Sequence, residues 1–222
     1  MSKVHGDFHS VSPLRTFFDE NLIEAKTFQS CQISALKETI SATPEASYIF
    51  DLSCLQKLMI IGKEASLVTK NYFELEKLEP FQWVAVGTGG IICLNQEKII
   101  LVNSYDETLV DGFKNTFSSD RSSVLAQRAD YCEFAIVGPV AYRVLNELVP
   151  VSDSAWSKSG LLCASLAGSN VILRKVNKET DHLRCILQPA DVHYVFSTIM
   201  EINNEADGKL GCIFSYRNSF GH

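Results

Sequence analysis

Seven cysteines, five histidines, one glycine cluster and one strand-end asparagine are the residues of this 222-residue chain whose types could do chemistry. The cysteines stand at 31, 54, 93, 132, 163, 185 and 212, and no two share a C-x2-C or C-x4-C spacing. A tetrahedral zinc site needs at least one such close pair, so no metal site is expected. An odd number of cysteines in a chain this size, without an export signal, also argues against a disulfide framework. They are expected as small buried side chains in a reducing compartment. His182 and His193 lie eleven residues apart, on a predicted hairpin and a predicted helix, and neither has a partner at metal-ligand spacing. The cluster Gly87-Thr88-Gly89-Gly90 is followed by Lys98 only after a hairpin, too late for a phosphate loop. Cys93 is flanked by Ile92 and Leu94, with no nearby His or Lys to lower its pKa, so strand packing is expected of it rather than nucleophilic attack. Trp83 and Trp156 are isolated, and Lys57, Arg121 and Arg128 are too scattered to form a basic patch.

The elements that must position these groups come from an internal repeat. Leu58-Met59-Ile60-Ile61-Gly62-Lys63-Glu64-Ala65 reads against Phe134-Ala135-Ile136-Val137-Gly138-Pro139-Val140-Ala141, with Gly138 lying 76 residues after Gly62. Each is an apolar strand run ending on a glycine, with an alanine three residues later. After each glycine the apolar spacing turns helical: Ala65, Val68, Tyr72 and Leu75 in the first copy, Ala141, Val144, Leu145 and Leu148 in the second. Pro139 takes a natural first-turn position. Both copies then run into a hairpin. The first is Ile91–Leu94 and Ile99–Val102 about a turn at 95–98, and the second is Asn170–Val176 and Leu183–Leu187 about a polar turn at 177–181. A helix closes each copy. Ser104-Tyr105-Asp106-Glu107 has the form of a capping box ahead of Leu109, Phe113 and Phe117. Pro189-Ala190-Asp191 opens the other, with Val192, Val195, Phe196, Ile199 and Met200 as its apolar face.

The fold class predicted is therefore α+β, built from tandem duplicated strand–helix–hairpin–helix modules with mostly antiparallel sheets. The organisation expected is an N-terminal arm (1–46), a first module (47–117), a linker (118–130), a second module (131–206) and a C-terminal tail (207–222), the two modules forming one unit. Within the arm a strand is expected across Thr27–Lys37, and 203–209 reads as a loop before a short apolar end at Leu210–Phe214.

Composition narrows the function classes. Hydrophobic residues make up 46% and charged residues 21%, a globular balance. A net charge of -6 gives no electrostatic reason to bind nucleic acid. Runs such as Ile99–Val102 are far too short to span a bilayer, and Met1–Ser10 is polar and contains no signal-peptide core. A cytoplasmic protein is expected.

With the repeat laid out, the chain resembles the aminomethyltransferase superfamily, the glycine-cleavage T-proteins. Phe50-Asp51-Leu52-Ser53 followed by Gly62 and Ala65 resembles their opening D-x-S … G-x-x-A. Gly89-Gly90-Ile91 followed by a hairpin and Leu101-Val102-Asn103 resembles their G-G-I … L-V-V-N segment. Ile136-Val137-Gly138-Pro139 with Ala141 and Leu145 resembles Q-G-P-x-A … L. The ordered set covers roughly residues 47 to 205. The resemblance implies the N-terminal region of a T-protein without its C-terminal barrel domain. In size, layout and the Ser12-Pro13-Leu14 start, the chain is most similar to the gamma subunit of heterotetrameric sarcosine oxidase. It has no K-G-C-Y-x-G-Q motif, which distinguishes it from the folate-binding protein of iron–sulfur repair.

The family places a catalytic Asp just after its Gly-Gly-Ile strand, where a carboxylate orients the reacting amine. Here that place holds Ile92-Cys93-Leu94, and no Asp or Glu occurs between Glu79 and Glu97. No catalytic residue is therefore expected. Asn103 matches a pocket Asn of the family, where an amide can pair with a pterin edge, so Asn103 is the one cofactor-binding candidate, for tetrahydrofolate. Against this, an Asn ending a strand before Ser104 is also what turn chemistry places there. The second hairpin has none of the family's glycines across Lys175–His182, its register puts Arg184 or Thr180 near the place of the family's Glu, and Phe81 stands where the family has a Tyr. The expected function is a non-catalytic accessory subunit or binding module, leaning away from an enzyme in isolation, with protein partners of the flavoprotein oxidase class or a homodimer. The alternative is a stand-alone folate-binding protein or residual aminomethyltransferase.

Overall fold

Alternation along the strands assigns each side chain to a layer. The computed structural model describes residues 12–18, 23–28, 31–36, 43, 45–103, 108–116, 123–149, 151–176 and 182–220. Their strands, in chain order, are β1 (Ile23–Phe28), β2 (Cys31–Leu36), β3 (Tyr48–Asp51), β4 (Lys57–Ile61), β5 (Gln82–Val86), β6 (Gly89–Asn95), β7 (Lys98–Val102), β8 (Leu125–Arg128), β9 (Cys132–Val137), β10 (Leu161–Leu166), β11 (Ser169–Lys175), β12 (His182–Leu187) and β13 (Lys209–Cys212). The helices are α1 (Ala65–Tyr72), α2 (Thr108–Thr116), α3 (Pro139–Leu148), α4 (Pro189–Glu205) and α5 (Ile213–Phe220). None of the described helices is long and apolar enough to cross a membrane.

On β9, Cys132, Phe134 and Ile136 face a core with α3 and α4, where Val140, Val144, Val195, Phe196 and Ile199 are buried. Ala135 and Val137, on the opposite face, pack under Tyr216 and Ile213 of α5. On β4, Leu58 and Ile60 meet Val68 of α1 and Phe113 of α2. Between the two sheets Ile92, Ile100 and Val102 meet Leu161 and Ile186. The result is a helix–sheet–sheet–helix sandwich in which each sheet buries both faces over much of its area.

The five-stranded sheet has the order β5–β6–β7–β4–β8, and the six-stranded sheet β10–β11–β12–β9–β3–β13. All pairs are antiparallel except β13 with β3. β1 and β2 form a separate two-stranded sheet. The mixed α+β class with mostly antiparallel sheets is as expected. Two strands are exchanged. β3 leads into β4 yet pairs with β9, while β8 leads into β9 yet pairs with β4.

Gly62 and Gly138 make these crossings fit. Both have positive φ, 139° and 82°. A Cβ on Gly62 would lie 1.9 Å from the carbonyl oxygen of Ser123, just before β8, and one on Gly138 2.2 Å from that of Ala46, just before β3. Each glycine therefore admits the backbone of an incoming exchanged strand, as well as the strand-to-helix turn.

Several elements differ from the sequence-based expectation. Each hairpin is a three-stranded antiparallel unit, because β5 and β10 precede it; β5 is only half-buried and lacks the clean alternation that marks a strand. Helix α1 stops at Tyr72 because Glu74 turns to φ 52°, and Leu75 reaches the same core from outside the helix. Residues 118–130, read as a linker, contain β8. Helix α4 runs through Glu205 rather than ending before Asn203, and residues 207–222 contain β13 and α5. The capping box at 104–107, the polar turn at 177–181 and Phe117 lie outside the described residues.

Candidate functional site

Charge buried between the sheets is the most unusual chemistry of this molecule. Because Cys132 and Phe134 face the helices, Glu133 between them points to the other side of its sheet. There it meets Lys57, the first residue of β4, with Nζ 3.0 Å from Oε2. Lys57 Nζ also donates to the Leu55 carbonyl at 2.8 Å. Arg184 on β12 reaches the other carboxylate oxygen, Nη2 to Oε1 2.5 Å. Lys57 and Glu133 are each 1% exposed. Burial by itself would raise the Glu133 carboxyl, but the Arg184 and Lys57 charges and the Lys57 hydrogen bond outweigh it and hold the pKa below the ordinary glutamate value.

Arg174 on β11 sits directly opposite Arg184 in the register and stacks over the Trp83 ring of the facing sheet, 4.1 Å from its centroid. Burial, and then the neighbouring Arg184 charge, lower the Arg174 pKa to about 10. His182 hydrogen-bonds through Nε2 to the Tyr216 hydroxyl at 3.0 Å. Burial, with Arg184 and Arg174 nearby, pushes its pKa down to about 3, so it stays neutral. At the end of β3, Asp51 accepts from the Ser12 hydroxyl and, at 2.9 Å, from the Ser53 amide. Burial outweighs those bonds and raises its pKa. A carboxylate fixed in its ionised form between two cations is a poor proton carrier at neutral pH. This arrangement holds the sheets in register.

Two cavities flank the network. One of about 270 Å³ lies where the two exchanged-strand crossings meet, lined by Ser12, Ser53, Gln56, Lys57, Arg128 and Tyr131 among others. The second, about 540 Å³, opens beside Leu94, Tyr131, Asn170, Ile172, Ile186 and Gln188. Tyr131 lines both. Among the described residues no group of His, Cys, Asp and Glu could hold a metal ion.

The sequence candidates fall mostly outside these cavities. Asn103 is 1% exposed; its Oδ1 accepts from the Val110 amide of α2 at 3.0 Å and its backbone amide donates to Gln56 at 2.9 Å. It lines neither cavity. Cys93 is buried in the helix-side core of the five-stranded sheet, and burial pushes its thiol to about 11. Phe81 is 54% exposed. Arg184 lies in the ion network, and Thr180 is outside the described residues. His193 packs against the Phe17 ring. Sequence reasoning missed Glu133, Arg174 and the pairing of Lys57. One signal was available: Lys57 and Glu133 each stand five residues before a repeat glycine, Gly62 and Gly138, as opposite charges leading apolar strands.

No family model matches the chain, and no curated protein matches it. Solved structures do. A chain of heterotetrameric sarcosine oxidase from Corynebacterium sp. U-96, solved with pyrrole 2-carboxylate, superposes with a TM-score of 0.59 at 13% identity, covering 76% of this chain and 89% of that one. The glycine cleavage system aminomethyltransferase T from Bartonella henselae superposes with a TM-score of 0.60 at 10% identity, covering 91% of this chain. This chain spans 59% of the length of that protein. At such identities the likeness is one of fold, and the chain has the fold shared by the aminomethyltransferase and the sarcosine oxidase subunit.

Proposed function

We infer that this chain is a non-catalytic accessory subunit or binding module, resembling in role the gamma subunit of heterotetrameric sarcosine oxidase, in folate-linked one-carbon or methylamine metabolism of the cytoplasm. Five strands stand in the same order in both sheets, which supports reading the two halves as a tandem duplication of the T-protein kind. One observation carries the functional reading. The strand after Gly89-Gly90 presents Cys93 with its thiol pushed to about 11, and no carboxylate lies between Glu79 and Glu97. Among the described residues the buried Glu133 is already engaged by Lys57 and Arg184, and the half-buried Asp51 by Ser12 and Ser53. The purified chain is expected neither to demethylate sarcosine nor to transfer one-carbon units. Measurable turnover by the lone chain with tetrahydrofolate and a methylamine donor overturns this reading. Its partner class is a flavoprotein oxidase subunit, against a homodimer, and the solution mass of the complex separates the two.

The 540 Å³ cleft favours a second reading, a stand-alone folate-binding protein, because its volume lies within the ordinary range for ligand sites. Calorimetric titration with a reduced folate decides between them: micromolar binding, weakened by Asn170→Ala at the cleft wall, favours folate binding, and no heat favours the accessory role.

A further inference from the structure

The two sheets share a strand order but are finished differently at one end. In the six-stranded sheet, register places Tyr48 opposite Val137 and Phe50 opposite Ala135, and all four are buried. One contiguous piece of chain completes that end: β13 adds to the outer edge of β3 in parallel, and α5 then folds back over the face. The helix supplies Ile213, Tyr216 and Phe220, spaced i, i+3 and i+7, with Tyr216 and Phe220 packed on Phe50.

Among the described residues, nothing corresponding covers the same place in the five-stranded sheet. There Leu125 lies opposite Ile61 and Gln127 opposite Met59. Leu125 is 57% exposed, Gln127 is exposed, and Ile61 and Met59 are only half-buried. β8 is the last strand of its sheet, so its outer edge has no strand beside it among the described residues. An apolar strip beside an unpaired edge is a docking surface for a polypeptide rather than for a small ligand.

We propose that this end of the five-stranded sheet, β8 with the face carrying Met59, Ile61 and Leu125, receives a strand-then-amphipathic-helix segment of a partner protein. The occupant's chemistry is read from the molecule itself, where such a segment fills the corresponding place in the other sheet. The strand adds to β8 through backbone hydrogen bonds, and bulky apolar side chains at i, i+3 and i+7 of the helix cover Leu125 and Ile61. A second copy fits less well, because its own β13–α5 segment is already seated and an edge-to-edge pair of β8 strands leaves Leu125 uncovered. The inference rests on the accessory-subunit reading and names the surface through which such a subunit would act.

The test uses the full chain with methyl-labelled Ile, Leu and Met, titrated with a synthetic peptide of residues 207–222 as the strand–helix probe. Saturable shifts at the Met59, Ile61 and Leu125 methyls are expected, with the affinity lowered about tenfold or more in Leu125→Asp. No movement of these methyls at millimolar peptide overturns the proposal, as does movement confined to Ile33 and Ile213 at the peptide's own seat. A concentration-dependent dimer in sedimentation equilibrium, abolished by Leu125→Asp, also overturns it and assigns the face to self-association. Turnover with tetrahydrofolate, which refutes the accessory role, leaves these methyl shifts untouched, so the two failures are distinguishable.

Discussion

Replacing Glu133 by Gln removes one negative charge and almost no volume, and it leaves Lys57 and Arg184 buried without their common anion. The Lys57 side chain is fully buried and that of Arg184 11% exposed, so water cannot take over the role of the carboxylate. Removing one partner of a buried pair costs about 3–5 kcal/mol. For a chain of this size each kcal/mol lowers the melting temperature by roughly 2–4 °C, so Glu133→Gln should melt about 6 to 20 °C below the parent protein. Lys57→Met should cost less, because Glu133 keeps Arg184. The double variant should be more stable than the sum of the two losses predicts, by about 0.5–3 kcal/mol. The pH dependence has a definite sign. The folded-state pKa of Glu133 is below its ordinary value of 4.5, so its stabilisation is complete above that value and is lost as pH falls through the folded pKa. Circular dichroism melts between pH 3 and 7 should show that acid-limb loss in the parent protein and less of it in Glu133→Gln. A Glu133→Gln melt within 2 °C of the parent at pH 7 would refute the claim that this carboxylate holds the network together.

Three further outcomes follow from the same structure. His182 has a folded pKa of about 3 against an ordinary 6.5, so the stability it confers is full above 6.5 and declines as pH falls toward 3; His182→Gln should flatten the melting profile across that window. Gly138→Ala forces a side chain onto φ 82° and against the Ala46 carbonyl, and backbone strain alone costs about 1–3 kcal/mol, so chemical denaturation should show at least that loss. Alkylation at pH 7.5 followed by mass spectrometry should modify the exposed Cys163 and spare the buried Cys93 and Cys185; desolvation raises all three thiols, so accessibility sets the difference, and rapid labelling of Cys93 in folded protein would contradict its core placement.

The strand–glycine–helix joints were legible in the sequence because three local signals agree there: an apolar run, a glycine and a change to helical spacing. The faces of α3 and α4 were legible for the same reason, and Val144, Val195, Phe196 and Ile199 are all buried as their spacing implies. β5 and β8 were not. Gln82–Val86 is half-buried except at the exposed Ala85, and Leu125–Arg128 exposes Leu125 while half-burying Ala126, so neither shows the alternation that marks a strand. Long-range pairing, rather than local preference, makes them strands. The buried ion network was hidden because its members come from four strands and meet only once the sheets face each other. Asn103 was legible as a residue with a task, but the amide it serves, Val110, lies seven residues ahead, across residues whose pattern says nothing of the contact.

The strand exchange sets an order of events for the growing chain. β3 has no partner until β9 is made about 80 residues later, which at ordinary elongation rates is a delay of roughly 4 to 16 s. Through that interval Tyr48, Ile49 and Phe50, all fully buried in the end, have no sheet to join. Neither half can finish its sheet with its own strands alone, since β8 closes the first and β3 the second. Folding should therefore appear as one slow cooperative step governed by contacts distant in sequence, and cutting the chain between α2 and β8 should leave two fragments that fold only together.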